Sequence, residues 1–456
     1  MIEKLSIDSK EYKKHLEITQ SVKDWDREDE AFMGFKLGSI NRTKDSIAEF
    51  QDIYSRYDKL TDEEKNRSYV FNGKFDSFKS KDEIKETIEH CKKQQEKNIE
   101  ASKEEFYHLD RKFAILRHLV RKSLDDNELS KELLEKFQDN IYKKIEELVE
   151  KKELPSDLWI KMLECNQKIF LEKETNFKKK ILPDLKKNFL ASVDSDAWKK
   201  FLPFDKTYIK KRLRTLKCGL IDPAVAIVRG VGGTYFSDVD TIKINANLVD
   251  VSQMFNSFQA KLLMALTGKR PTKEEFFRKI NNIFFHEMMH KLSGRTIIVQ
   301  EKTPIGPGVD GKTDDSYDNY EVKQVGLRQT GAIKNRLGWL NEGVTEYLTR
   351  EICDKKSYPS YKNEVELLNL LCVSGNKPID IKDFIDAYFE GYDEKKAPEE
   401  QYKNRKKLFG LLSTAYSRDF IIRLDDIFQN IQRDNYKANN EAAIKAIEMV
   451  KNFKSA

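Results

Sequence analysis

Five consecutive residues, His286-Glu287-Met288-Met289-His290, set two imidazoles four positions apart with a carboxylate beside the first. On a helix, residues i and i+4 share a face with Cβ atoms about 6 Å apart, so His286 and His290 can grip one metal ion together. Zinc suits imidazole nitrogen, takes four ligands, and keeps one position open where it acts on a substrate. Glu287 can then reach a water at the ion and serve as general base. Taken alone, the spacing also fits a helix that merely carries two histidines, so the chemistry depends on what surrounds it.

The flanks predict that helix. Thr272 and Glu275 follow Pro271 with the offset of a capping box. Phe277, Ile280, Ile283, Phe284 and Met288 recur at three- and four-residue steps, and Leu292-Ser293-Gly294 reads as a helix end. A second helix is predicted over Gly338-Trp339-Leu340-Asn341-Glu342-Gly343-Val344-Thr345-Glu346, where Leu340, Val344, Leu348 and Ile352 form an apolar stripe. Glu342 and Glu346 lie one turn apart on its other face. Two carboxylates so placed repel weakly in water, and a nearby cation removes that objection.

His-Glu-x-x-His followed by Asn-Glu-x-x-x-Asp/Glu resembles the gluzincin group of zinc metallopeptidases, which includes the thermolysin-like enzymes and the M1 aminopeptidases. The string Trp339-Leu340-Asn341-Glu342-Gly343 is similar to the M1 pattern. The resemblance covers roughly residues 220–350. It implies zinc as cofactor, a peptide or protein as substrate, Glu342 as third zinc ligand, and Glu346 as the acid that orients a zinc-bound histidine. Beyond His118 the only histidines are His286 and His290, and none follows Gly294, which excludes the metzincin arrangement. The third ligand must then be an acid or a cysteine, with Glu342 first and Cys353 second. The chain also departs from its named relatives. Between His290 and Glu342 lie 51 residues. The M1 amine anchor Gly-x-Met-Glu-Asn is missing, and Gly331-Ala332-Ile333-Lys334-Asn335 has a lysine where the acid belongs. Endopeptidase action is therefore favoured over aminopeptidase action. No histidine is left to stabilise an oxyanion, which leaves Tyr361, Tyr388, Arg328 and Arg336 as candidates.

Composition frames the rest. A chain of 456 residues has room for two or three domains, and 39% hydrophobic with 35% charged residues describes a polar surface over a real core. The net charge of +6 is uneven, because residues 1–200 balance to within one charge and the excess lies in the half carrying His286. No dense basic block or nucleic-acid module is present, so nucleic acid is not expected as a partner. Five scattered cysteines without a C-x-x-C argue for reduced thiols. With no signal peptide and no apolar run long enough for a membrane, the expectation is a cytoplasmic protein with no membrane partner.

Along the chain, aromatic residues within 1–75 (Trp25, Phe32, Phe35, Phe50, Tyr54, Tyr57) predict packed helices. Lys81 to about Lys152 is helical, with Leu134, Phe137, Ile141, Ile145 and Leu148 as one stripe, and Leu154-Pro155-Ser156 starts another helix. Ala224–Val228, Thr241–Asn245 and Thr296–Val299 read as strands, with glycines 230, 232 and 233 as a turn that lacks the lysine of a phosphate loop. Thr241–Asn245 is the candidate edge for binding an extended peptide. Pro304 to Tyr320, rich in Gly, Pro and Asp, reads as a loop and candidate lid. Tyr361 to Ala456 is helical, with one long segment from Phe409 to Ile431. The predicted architecture is α+β: an α-helical domain over 1–200, then a zincin-like metallopeptidase domain over 201–456 with a small sheet, an active-site helix and a helical C-terminal lobe. The alternative is a catalytically inactive zincin scaffold that works as a protein-interaction module through its helical half.

Overall fold

The computed structural model describes the chain outside residues 1–2, 6–8, 11–12, 14–36, 62–64, 66–68, 72–73, 77–79, 110, 223–225, 227–231, 238–239, 250–271, 301–318, 331–334, 354–360, 430–435 and 454–456. The aromatic residues Trp25, Phe32 and Phe35, most of the expected strand 224–228, and nearly all of the expected lid 304–320 therefore lie outside the described residues. The protein is helix-rich with small sheets, a mixed α and β architecture. Among the described residues, no helix is long and apolar enough to cross a membrane.

The chain divides into two compact units. One comprises residues 1–22, 173–221 and 229–456, and the other 23–172 with 222–228. In the chain this division falls at residue 172. The segment after it packs on the helix that carries His286 and His290, with Phe189 edge-on to Phe284 and tilted against Phe285. The first unit also claims the N-terminus, through the short strand β1 (Glu3–Leu5).

The second unit holds helices α1 (Leu37–Arg56), α2 (Lys81–Tyr107), α3 (Lys112–Leu124), α4 (Asn127–Phe137), α5 (Ile141–Glu150) and the start of α6 (Ser156–Asn176), with a hairpin of β2 (Tyr69–Phe71) and β3 (Lys74–Asp76). Phe50 and Ile53 of α1 meet Ile84, Ile88 and Cys91 of α2 in one apolar cluster. A larger cluster runs from Phe106 on α2 through Leu119, Leu133 and Ile145 to Trp159 and Met162 on α6. The stripe read as one helix is two. Gln138, at φ 54, ends α4, and α5 restarts at Ile141. Phe137, Ile141 and Ile145 do face inward, whereas Leu134 is 50% exposed and Leu133 takes the core position. The three- and four-residue spacing simply carries across the break.

The first unit continues with α7 (Leu182–Ser192), α8 (Asp196–Phe201) and α9 (Lys206–Arg214). Next comes a sheet of β4 (Lys217–Ile221), β5 (Gly233–Phe236) and β6 (Thr241–Asn245). Its order is β4-β6-β5, with β4 parallel and β5 antiparallel to β6. The strand Thr241–Asn245 thus sits in the centre with both sides paired and cannot accept a peptide. The outer strands are β4 and β5, and β5 is the one beside Glu287.

Helix α10 (Lys273–Leu292) begins with the expected capping box: Thr272 Oγ1 accepts from Glu275 N–H, and the Glu275 carboxylate accepts from Thr272 N–H. It feeds directly into β7 (Arg295–Gln300), followed by β8 (Asn319–Val325), β9 (Arg328–Thr330) and β10 (Asn335–Arg336). These join β1 in an antiparallel sheet ordered β1-β7-β8-β9-β10. Helices α11 (Gly338–Ile352), α12 (Lys362–Val373), α13 (Ile381–Phe389), α14 (Lys403–Tyr416), α15 (Arg418–Gln429) and α16 (Tyr436–Lys451) complete the unit. The long helix expected over 409–431 is broken at Ser417, whose φ of 67 ends α14 and lets α15 leave in a new direction.

Candidate metal centre

The helix that carries His286 and His290 buries its whole circumference from Phe284 onward. Ile280, Phe284, Phe285, Met288, Met289 and Leu292 are all within 3% of full burial, and His286, Glu287 and His290 are buried among them. Two imidazoles and a carboxylate in such a place need partners, since unpaired buried polar groups are costly. Helix α11 provides them. Its start is fixed by Asp425 on α15, whose carboxylate accepts from Leu337 N–H at 2.8 Å, Trp339 Nε1 at 3.1 Å and Arg336 Nη1 at 3.2 Å. Leu337 itself is held at φ 58, so the helix begins abruptly. Leu340, Val344 and Leu348 face the core as their spacing predicts, and the opposite face is covered too, because Glu346 is only 3% exposed.

This packing brings together the residues that the sequence separates by 52 and 56 positions. His286 Nε2, His290 Nε2 and Glu342 Oε2 lie 3.2 Å from one another on all three sides. Three points so spaced are the base of a tetrahedron whose centre is about 2.0 Å from each, which is the length of a zinc–nitrogen or zinc–oxygen bond. The three residues are also the one His/Cys/Asp/Glu group with metal-ligating geometry among the described residues. Cys353, the second candidate for third ligand, caps the far end of α11 and is outside the group.

Three lone-pair-bearing atoms at this separation repel unless positive charge lies between them. Without a metal ion that charge can only be protons. Burial alone would lower the His286 pKa, but hydrogen bonds to Glu342 and Glu346 and the nearby Glu287 charge override it and lift it to about 10. Burial likewise acts to raise Glu342, and the two histidines overcome it and hold the carboxyl well below its usual range. Both shifts come from the same pairing of imidazole with carboxylate across the cluster.

Glu346 stands behind His286. Its Oε2 is 3.1 Å from His286 Nδ1, and its Oε1 accepts from Arg350 Nε at 2.8 Å. A carboxylate only accepts, so Nδ1 keeps a proton, and Nε2 is the nitrogen that gives up its proton to bind a cation in the cluster. Glu287 points to the neighbouring sheet, where it accepts from Tyr235 N–H on β5. Burial raises its proton affinity, against the pull of both histidines. Gly233 is what lets β5 come this close. A Cβ there would meet Ile283 Cγ2 at 2.6 Å and Glu287 Cγ at 3.2 Å.

Of the four candidates for oxyanion stabilisation, Tyr361 is the one that reaches the cluster. Its ring stacks on His286 with centroids 5.2 Å apart and planes 16° from parallel. The Glu342 charge, followed by burial, pushes its phenol well above the usual value, so it stays protonated as a donor. Tyr388 lies behind His290, bonded to Thr345. Arg336 is committed to Asp425 and Asp426. Arg328 begins β9.

Sequence reasoning passed over several supports. Thr345 Oγ1 and Asn341 Nδ2 each lie 3.3 Å from His290 Nδ1. Asn341 Oδ1 also accepts from Leu327 N–H at 3.0 Å. That bond requires glycine at 326, where φ is 57 and a Cβ would fall 2.3 Å from Asn341 Oδ1. Past His290, Lys291 is buried and donates to Asp240 Oδ2 at 2.5 Å, and Arg295 Nη1 reaches Asp240 Oδ1 at 3.3 Å. Lys291 stands three residues after Met288, on the apolar stripe of the helix, and that placement was the available signal. The chain matches no protein-family model, no curated protein and no solved structure.

Proposed function

We propose that this chain is a zinc-dependent peptidase of gluzincin type, with a zincin-like arrangement of sheet, metal-site helix and helical lobe within residues 173–456. The observation that carries this reading is the 3.2 Å triangle of His286, His290 and Glu342 with Glu287 one residue away on the same helix. The donor set of two imidazoles and one carboxylate fits zinc and leaves a fourth position open. Zinc bound there would lower the pKa of a water and polarise a scissile carbonyl.

The chain's own residues do the rest. Glu287, aimed by Tyr235 N–H and kept basic by its burial, takes the water's proton and passes it to the leaving amine. Glu346 and Arg350 keep His286 in the tautomer that leaves Nε2 free. The Tyr361 hydroxyl donates to the oxygen that gains charge as the carbonyl turns tetrahedral. The outer edge of β5, next to Glu287, is the edge along which an extended peptide would pair.

The test is zinc content and cleavage of a peptide library by wild type, Glu342→Ala and Glu287→Gln. We expect about one zinc per chain in wild type and Glu287→Gln, with most of it lost in Glu342→Ala, and cleavage in wild type alone. No zinc in wild type after reconstitution refutes the site. Full zinc with no Glu287-dependent cleavage refutes the peptidase and leaves the inactive scaffold.

A further inference from the structure

The two histidines are held by opposite kinds of partner. His286 Nδ1 faces the carboxylate of Glu346, which can only accept. His290 Nδ1 faces two groups at the same 3.3 Å, Asn341 Nδ2 and Thr345 Oγ1. The Asn341 amide is oriented by Leu327, whose N–H donates to Oδ1, so the group presented to His290 is the NH2 donor. Turning the amide over would set two donors against each other at Leu327. The Thr345 hydroxyl spends its proton on the Asn341 carbonyl at 2.7 Å, so its oxygen faces His290 as an acceptor. That oxygen is also 2.8 Å from the Tyr388 hydroxyl, which bonds Ser293 as well. Asn341, Thr345 and Tyr388 are all buried to within 2%.

A donor and an acceptor thus compete for one ring nitrogen. If Nδ1 is bare it accepts from Asn341, and the ring's proton sits on Nε2, where a metal would have to bind. If Nδ1 carries the proton it donates to Thr345, and Nε2 is free. We propose that His290 is a two-state ligand whose metal-binding tautomer is selected by Thr345, supported from behind by Tyr388, and opposed by Asn341. His286 has no such choice. Thr345 is thereby a positioning residue for the metal centre, and this inference rests on the zinc reading of the site.

The opposition gives a test that a merely structural role fails. Thr345→Val keeps the shape and removes the acceptor. Asn341→Asp keeps the acceptor for Leu327 N–H and turns the donor facing His290 into a second acceptor. Zinc affinity, measured by competition with a chromogenic chelator, should fall about 10- to 100-fold in Thr345→Val. It should return to within a few-fold of wild type in Thr345→Ser, and hold or rise in Asn341→Asp. In the zinc-loaded protein labelled with 15N-histidine, the His290 Nδ1 proton should be seen in wild type, Thr345→Ser and Asn341→Asp. Wild-type affinity in Thr345→Val, or equal losses in Thr345→Val and Asn341→Asp, overturns the proposal while leaving the zinc site intact. Absence of zinc binding by wild type instead overturns the site itself.

Discussion

Replacing Asp240 by asparagine should destabilise the metal-site unit far more than its loop position between β5 and β6 suggests. Lys291 and Arg295, 1% and 3% exposed, both point their charges at this one carboxylate, and the Tyr235 hydroxyl donates to it at 2.6 Å. Burial alone would raise the Asp240 pKa, but the two cations overcome it and hold it at about 2 against an ordinary 3.8. Because the folded pKa is depressed, the stabilisation is complete above pH 3.8 and is lost as the pH falls through 2. The gap is worth about 2 kcal/mol. Burial pushes Lys291 down to about 8, against Asp240, so the unit also gains stability as the pH rises from 8 toward 10.5. In Asp240→Asn the Lys291 ammonium loses its counter-charge, and removing one partner of a buried pair costs about 3–5 kcal/mol. Urea unfolding followed through Trp198 and Trp339, both in this unit, should show a lower midpoint at neutral pH with an unchanged slope and a flatter acid limb. Lys291→Met in the same chain should recover only the part of the loss that comes from Lys291, since Arg295 still points at position 240. An Asp240→Asn midpoint equal to wild type at pH 7 would refute the reasoning.

Three further outcomes are expected. Tyr361→Phe should lower kcat by about 100-fold or more, with zinc content and KM little changed, if its hydroxyl serves the oxyanion; an unchanged kcat removes that role. Asp425→Ala strips the acceptor from Leu337 N–H and Trp339 Nε1, so calorimetry should register a loss of about 2–4 kcal/mol together with weaker zinc binding, because the turn that aims Glu342 is no longer pinned. Zinc at 100 times its dissociation constant should stabilise the metal-site unit by about 2.7 kcal/mol, and a chelator should reverse this; a melting temperature indifferent to both would mean that no site forms.

The parts of the site legible in the sequence are those written in local periodicity. The capping box at Thr272, the stripe through Phe284 and Met288, and the four-residue steps from His286 to His290 and from Glu342 to Glu346 each sit within one helix, where spacing dictates which side chains share a face. What stayed hidden depends on contacts between distant elements. Tyr361 and Tyr388 are, by sequence, only two of four candidates, with nothing in the spacing to say that one stacks on His286 and the other stands behind His290. Thr345 looks like an ordinary helical residue until its hydroxyl meets that of Tyr388. The alternation of Thr241–Asn245 marks a strand but not its neighbours, so its central place in the sheet could not be read. Helix breaks at Gln138 and Ser417 escaped for a related reason. Each is made by one non-glycine residue at positive φ while the apolar spacing runs on. The unit boundary at 172 turns on Phe189 meeting Phe284, a contact between aromatic residues 95 positions apart.

The pairing of β1 with β7 has a consequence for how the protein is made. Leu5 lies opposite Ile297, so a ribosome must add 292 residues before the partner strand exists. At about 5–20 residues per second that is a wait of roughly 15–60 s. Both pieces of the helical unit, residues 23–172 and 222–228, are synthesised in that interval, so the unit can collapse while the strand is still waiting. A lone strand edge left open so long invites pairing with other nascent chains. This one is three residues long and carries Glu3 and Lys4, which keeps it a poor template until its own partner emerges. The five-stranded sheet is therefore closed late, by a strand made long before its partner.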